Sequence, residues 1–149
     1  LALRAKTLIS DVRSLRRKNE KYIEQHRDWL PDLQQNGPKT CVTWHDPCHL
    51  LKGQGIGSEP RKRLRAIPGI EYVEMEGAGT CCGGGGEFQI EHGETSALIT
   101  KRKIGKIYDT NAAILVTGCP GCAITIGAHL DKTIKVMHPV QLLRRALMD

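Results

Sequence analysis

Apolar residues at Leu1, Ala5, Leu8, Val12 and Leu15 recur with the i, i+4, i+7 spacing of an amphipathic helix. The stripe resumes at Tyr22, His26 and Trp29 and stops at Pro31, which predicts one helix to about residue 30, or two broken near Ser14 to Asn19. Asn36-Gly37-Pro38 is a turn and the best domain boundary, separating an N-terminal helical segment and linker (1–37) from a second unit (38–149). There the period changes. Thr40 to His45 alternates and is β-branched, as a strand requires. Ser58 to Ile67 reads as a short basic helix, capped by Ser58, with Pro60 in its first turn and Pro68-Gly69 as its stop. Ile70 to Met75 is a second strand. Gly93 to Thr110 is a helix with Ala97, Ile104 and Tyr108 on one face and Lys101, Arg102, Lys103 and Lys106 largely outside. Ala112 to Thr117 is a continuous apolar run, as in a parallel strand buried on both faces. A helix over Ala123 to Leu130, a strand over Thr133 to Met137 and a last helix opened by Pro139 complete the chain.

Alternation of strands and helices predicts an α/β fold, a mostly parallel four-stranded sheet with helices on both faces, preceded by the N-terminal amphipathic helix. Ligands of such sheets sit beyond the carboxyl ends of the strands. Three cysteine-bearing stretches fall there. Cys48 follows the first strand, Cys81-Cys82 with Gly83 to Gly86 follows the second, and Cys119-Pro120-Gly121-Cys122 follows the third. Five of the six cysteines thus form the pattern C-x(32)-CC-x(36)-C-x-x-C. The glycines allow the backbone to bend around a bulky inorganic group and offer N–H donors to sulfur. Pro120 stiffens the C-x-x-C turn.

A tetrahedral zinc takes four ligands, so a fifth thiol favours a larger iron–sulfur centre without excluding zinc. A dithiol redox pair at Cys119 and Cys122 is the weaker alternative, because it leaves Cys81 and Cys82 without a role. Cys41, on the first strand, reads as a small core residue. His45, His49 and His138 are candidates to line the site, His49 by hydrogen bonding to metal-bound sulfur and any of them as a zinc ligand. Asp46 before Pro47 caps or fixes the turn. Gly53-x-Gly55-x-Gly57 lacks the spacing of a dinucleotide or phosphate loop and reads as a flexible turn.

Composition narrows the classes. The 149 residues are 40% hydrophobic and 26% charged, as in a soluble globular protein. No apolar run is long enough to span a membrane, and the first residues are not those of a signal peptide, so the thiols are expected to be reduced and cytoplasmic. The net charge of +6 comes from separated clusters, with only six aromatic residues, which opposes nucleic-acid binding. An acidic protein partner, or peripheral attachment at the inner face of a membrane, suits that charge better.

The residues resemble the CCG domain, the cysteine-rich module of heterodisulfide reductase and of the iron–sulfur subunits of glycolate, lactate and glycerol-3-phosphate dehydrogenases. The resemblance runs over about residues 38 to 149, through His45-Asp46-Pro47-Cys48-His49-Leu50, Ile67-Pro68-Gly69, Cys81 to Gly86, Thr117 to Cys122 and His138-Pro139-Val140. It implies a non-cubane [4Fe-4S] cluster on Cys48, Cys81, Cys82, Cys119 and Cys122, with zinc in some copies. It further implies electron transfer with a flavin-containing dehydrogenase subunit or other redox subunits. Only one CCG motif is present where such proteins usually carry two, so the chain reads as a module of an oxidoreductase and not as a complete enzyme.

Overall fold

A computed structural model describes residues 38–148; the helix expected before residue 38 lies outside the described residues. Four strands, β1 (Thr40–His45), β2 (Ile70–Tyr72), β3 (Ile114–Thr117) and β4 (Lys135–Met137), form one sheet in the order β2-β1-β3-β4. All three pairings are parallel. The helices are α1 (Cys48–Gln54), α2 (Ser58–Arg65), α3 (Phe88–Glu91), α4 (Gly93–Tyr108), α5 (Pro120–Gly127) and α6 (Pro139–Met148). The expected α/β architecture is therefore present in the described residues.

Register explains which side chains form each core. Val42 pairs with Ile114 and Trp44 with Val116, so these four point to one sheet face. They pack there with Leu64 of α2 and Leu142 of α6. Leu115 lies on the opposite face, against Ile107 of α4 and Cys122 and Ile126 of α5. Each of these large apolar side chains contributes about 1.5–3 kcal/mol by leaving water. β3 is buried along its whole length, as its unbroken apolar run requires.

Two sequence expectations change in detail. α1 begins at Cys48 and runs through Gly53, so the first part of the glycine-rich stretch is helical; the turn comes at Gly55, whose φ of 67° suits glycine. α4 is rotated from its expected orientation. Its buried residues are Ser96, Thr100, Lys103 and Ile107, while Ala97 is exposed and Tyr108 is 38% exposed. An inner stripe that is mostly polar has helical spacing but no apolar signal, which is why hydrophobicity alone selects the wrong face.

The strand order creates a switch point. From β1 the chain leaves toward β2, and from β3 it leaves toward β4 on the other side. The carboxyl ends of these two neighbouring strands are where folds of this kind bind ligands.

Candidate metal centre

The exit from β1 carries His45, Asp46, Pro47 and Cys48, and the exit from β3 carries Gly118 to Cys122. Cys119 is the N-cap of α5 with extended backbone, Pro120 supplies the fixed φ of the first helical position, and Cys122 falls in the first turn. The two exits abut. A Cβ on Gly118 would come within 3.1 Å of Leu50 Cδ1 in α1. The loop after β2 is fastened to the β1 exit by a hydrogen bond from Asp46 N–H to the Ala78 carbonyl at 3.1 Å.

Within this edge, one atom each of His45, Cys82 and Cys122 lies within 4.8 Å of the other two, and all three residues are buried. Cys119, half-buried, is close enough to Cys122 to help hold its proton on. Cys81 and Cys48 are exposed. Of the sequence-predicted ligands, Cys82 and Cys122 are thus brought together in the buried group, with Cys119 beside it; Cys48, the first residue of α1, and Cys81, on the loop after β2, lie outside that group. His45 belongs to it directly. His49 is exposed. His138 is exposed and accepts the Val140 N–H at 3.3 Å, so it serves the start of α6. Cys41 is half-buried near the other end of β1, its Sγ 4.0 Å from the Thr110 carbonyl; burial, and then the charge of Glu71, push its thiol pKa up.

The two buried thiols titrate as a unit. The hydrogen bond from Cys122, and after it the proximity of His45, draw Cys82 toward the thiolate against the cost of burial. The same bond, burial and the neighbouring sulfur charges hold the Cys122 proton on. His45 Nδ1 is buried without a hydrogen-bond partner, although a buried polar atom ordinarily has one. An unpaired imidazole nitrogen beside a shared thiol–thiolate pair is a soft N/S donor set. It fits a thiophilic metal or an iron–sulfur cluster.

The loop that carries Cys81 and Cys82 is shaped from behind by α4. Ser96 Oγ donates to the Gly83 carbonyl at 2.8 Å and Thr100 Oγ1 to the Cys82 carbonyl at 2.9 Å. Lys103 Nζ donates to the carbonyls of Gly77 and Ala78 at 2.7 and 3.3 Å. On the loop itself the Gly83 N–H lies 3.4 Å from Cys81 Sγ. Two of the four glycines have steric duties. Gly83 has φ 90°, and a Cβ there would meet Thr100 Oγ1 at 2.2 Å and the Ser96 carbonyl at 2.7 Å. A Cβ on Gly84 would meet Thr125 Oγ1 at 1.9 Å, whereas Gly85 faces open space.

Asp46 does fix its turn, though without capping α1. Its carboxylate accepts from Trp44 Nε1 at 2.6 Å and from both terminal nitrogens of Arg61, at 2.9 and 2.7 Å. Arg61 also donates to the Gly57 carbonyl and twice to Glu74, so all five of its donors are used. Burial alone would raise the Asp46 pKa; the hydrogen bonds from Arg61 and Trp44 and the Arg61 charge outweigh it and hold the carboxyl below its usual range. Sequence reading missed Arg61 and Lys103. A lysine at helical spacing from Ser96, Thr100 and Ile107 was the available signal for the second.

The parallel sheet and the thiols gathered at its switch point define a cysteine-rich α/β domain. The chain belongs to the CCG family, a cysteine-rich domain, with residues 42–127 matching. Among curated proteins it is similar to one of the subunits of the fumarate reductase (CoM/CoB) of Methanothermobacter marburgensis, 41% identical over 126 residues that cover 82% of this chain and 26% of that one. An uncharacterized iron-sulfur protein of Methanococcus maripaludis is 46% identical over 94 residues, 63% of this chain and 19% of that protein. Lactate utilization protein A of Bacillus subtilis is 34% identical over 107 residues, 70% and 45% of the two chains. This chain therefore spans less than half the length of each of these relatives. No helix among the described residues is long and apolar enough to cross a membrane.

Proposed function

We propose that this domain is the iron–sulfur module of a larger oxidoreductase, holding a non-cubane [4Fe-4S] cluster through Cys48, Cys81, Cys82, Cys119 and Cys122. The observation that carries the reading is the buried grouping of His45, Cys82 and Cys122 at the sheet's switch point, with Cys119 adjoining, Cys48 at the start of α1 and Cys81 on the loop after β2. The relatives named as iron-sulfur proteins and as oxidoreductase or lactate-utilization components support it. A bound cluster supplies one-electron transfer.

The chain's own residues do the rest. Cys82 and Cys122 are drawn from water, and the thiolate character of Cys82 readies it for metal. The Gly83 N–H stands by Cys81 Sγ, where an N–H donor withdraws charge from a ligating sulfur. His45, its Nδ1 buried without a hydrogen-bond partner, adds a nitrogen donor to the same group. Exposed Cys81 and Cys48 put the centre near the surface, as exchange of electrons with another subunit requires. That partner is a flavin-containing dehydrogenase subunit or another redox subunit, in the cytoplasm or peripherally at its membrane face.

Zinc is the second reading. The compact His45–Cys82–Cys122 group with Cys119 beside it offers one nitrogen and three sulfurs, the number a tetrahedral structural zinc takes. Anaerobic purification followed by iron, acid-labile sulfide and zinc analysis separates the two. Iron with sulfide is expected; one zinc per chain without sulfide overturns the cluster reading.

A further inference from the structure

Helix α4 turns a polar stripe toward the ligand loop, and its three donors are not equivalent. Ser96 and Thr100 are neutral, and each ties back one carbonyl of the loop. Lys103 does the same work for Gly77 and Ala78 but brings a full charge, and it is only 2% exposed. A buried ammonium is unfavourable unless an anion compensates it. Two neutral carbonyls are weak compensation, and among the described residues Lys103 forms no ion pair with a carboxylate.

Lys103 stands one helical turn from Thr100, which holds the Cys82 carbonyl, and it lines one cavity together with Cys81. Burial lowers its pKa to about 8, opposed first by the Cys82 thiolate and then by Asp46. Asp46 is already engaged by both terminal nitrogens of Arg61. The remaining negative charge is that of the Cys82 thiolate. A lysine is kept in the interior here against the loop that leads into the paired cysteines.

We propose that Lys103 is the internal counter-cation of the thiolate centre, a positioning residue that fixes the ligand loop and raises the reduction potential of a cluster held there. This rests on the cluster reading above. Reduction adds negative charge, and a fixed cation stabilises the reduced form more than the oxidised one. Because the ammonium is buried, salt screens this effect little.

The test uses the full chain, reconstituted anaerobically, as wild type, Lys103→Gln, Lys103→Arg and Thr100→Val. Iron and sulfide content of the wild type is measured first; their absence refutes the cluster reading and leaves Lys103 to the metal-free measurement below. Redox titration followed by electron paramagnetic resonance then compares the variants. Lys103→Gln, which keeps an N–H donor but loses the charge, is expected to lower the reduced-to-oxidised ratio at fixed potential about tenfold, or about 59 mV for a one-electron couple. Lys103→Arg should stay near wild type, and Thr100→Val, which frees the Cys82 carbonyl, should move the potential by less than Lys103→Gln does. An unchanged potential in Lys103→Gln overturns the proposal, and so does an equal fall in Thr100→Val, which would assign the effect to loop geometry. If Lys103→Gln fails to load, nitrogen-15 NMR of the metal-free, reduced wild type decides. A protected Lys103 ammonium signal at pH 7 supports the counter-cation; a neutral amine or a freely exchanging ammonium overturns it.

Discussion

Alanine at Gly83 separates what the glycines do from the mere fact that there are four of them. At φ 90° an L residue is strained, by about 1–2 kcal/mol in the left-handed region. The added methyl would also sit 2.2 Å from Thr100 Oγ1 and 2.7 Å from the Ser96 carbonyl. The first contact can be relieved by rotating a hydroxyl that otherwise holds the Cys82 carbonyl; the second is main chain of α4 and cannot move cheaply. Overpacking of this kind costs about 1–3 kcal/mol. Alanine returns about 0.4–1 kcal/mol by stiffening the unfolded chain, so the net loss is about 1–5 kcal/mol, or about 3 kcal/mol at mid-range. Gly85→Ala is the internal control, because its position is open and carries no positive φ. Urea unfolding of the metal-free, reduced proteins reads the difference directly. With a slope of about 1–3 kcal/mol/M the Gly83→Ala midpoint falls by about 1 M or more, while Gly85→Ala stays within a few tenths. Equal midpoints for the two variants would refute the steric reasoning and return the glycine run to a generic flexible loop.

Three further outcomes follow from the same geometry. Gly84→Ala should destabilise through Thr125, and Thr125→Ala should rescue it only in part, since the Thr125 Cβ itself stands 2.7 Å from the new methyl; a double-mutant cycle in urea measures the coupling. Arg61→Ala strands Asp46, which is 4% exposed, and should cost about 3 kcal/mol at neutral pH. Because the folded-state pKa values of Asp46 and Glu74 are depressed below 3.8 and 4.5, that contribution is fully present above those values and lost as pH falls through the depressed ones; the gap between thermal melts of wild type and variant should therefore narrow in acid, and a gap that does not narrow as pH falls contradicts the linkage. Cys82→Ser should abolish most metal content while Cys41→Ser retains it, and equal metal content in both variants would remove Cys82 from the ligand set.

The legible part of this chain was the part written in apolar periodicity and in cysteine spacing. Thr40 to His45 and Ala112 to Thr117 announce the two central strands, and the cysteine stretches follow strands as expected. What stayed hidden depends on polar groups whose burial is justified only by a distant partner. Lys103 looks like a solvated lysine until the Gly77 and Ala78 carbonyls, more than a helix away, are placed over it. Arg61 looks like one of a basic cluster until Asp46 and Glu74 converge on it. His45 reads as a strand-end histidine, and only parallel pairing with Thr117 sets it over the switch point. The glycines show the same limit. Identical letters at 83, 84 and 85 serve a backbone angle, a side-chain contact and neither.

The strand order also sets a sequence of events during synthesis. The pairing of β3 with β4 is local, whereas Val42 of β1 must find Ile114 across the whole intervening chain. Long-range parallel ladders close slowly. During translation the β1 and β2 exits, with Cys48, Cys81 and Cys82, emerge from the ribosome before the strand that brings Cys119 and Cys122 has been made. Until β3 docks, one edge of β1 is unpaired and the early thiols stand without their later companions. On the proposed cluster reading, metal delivery is productive only after the sheet closes, and the nascent chain before that point is the form most exposed to edge-to-edge aggregation.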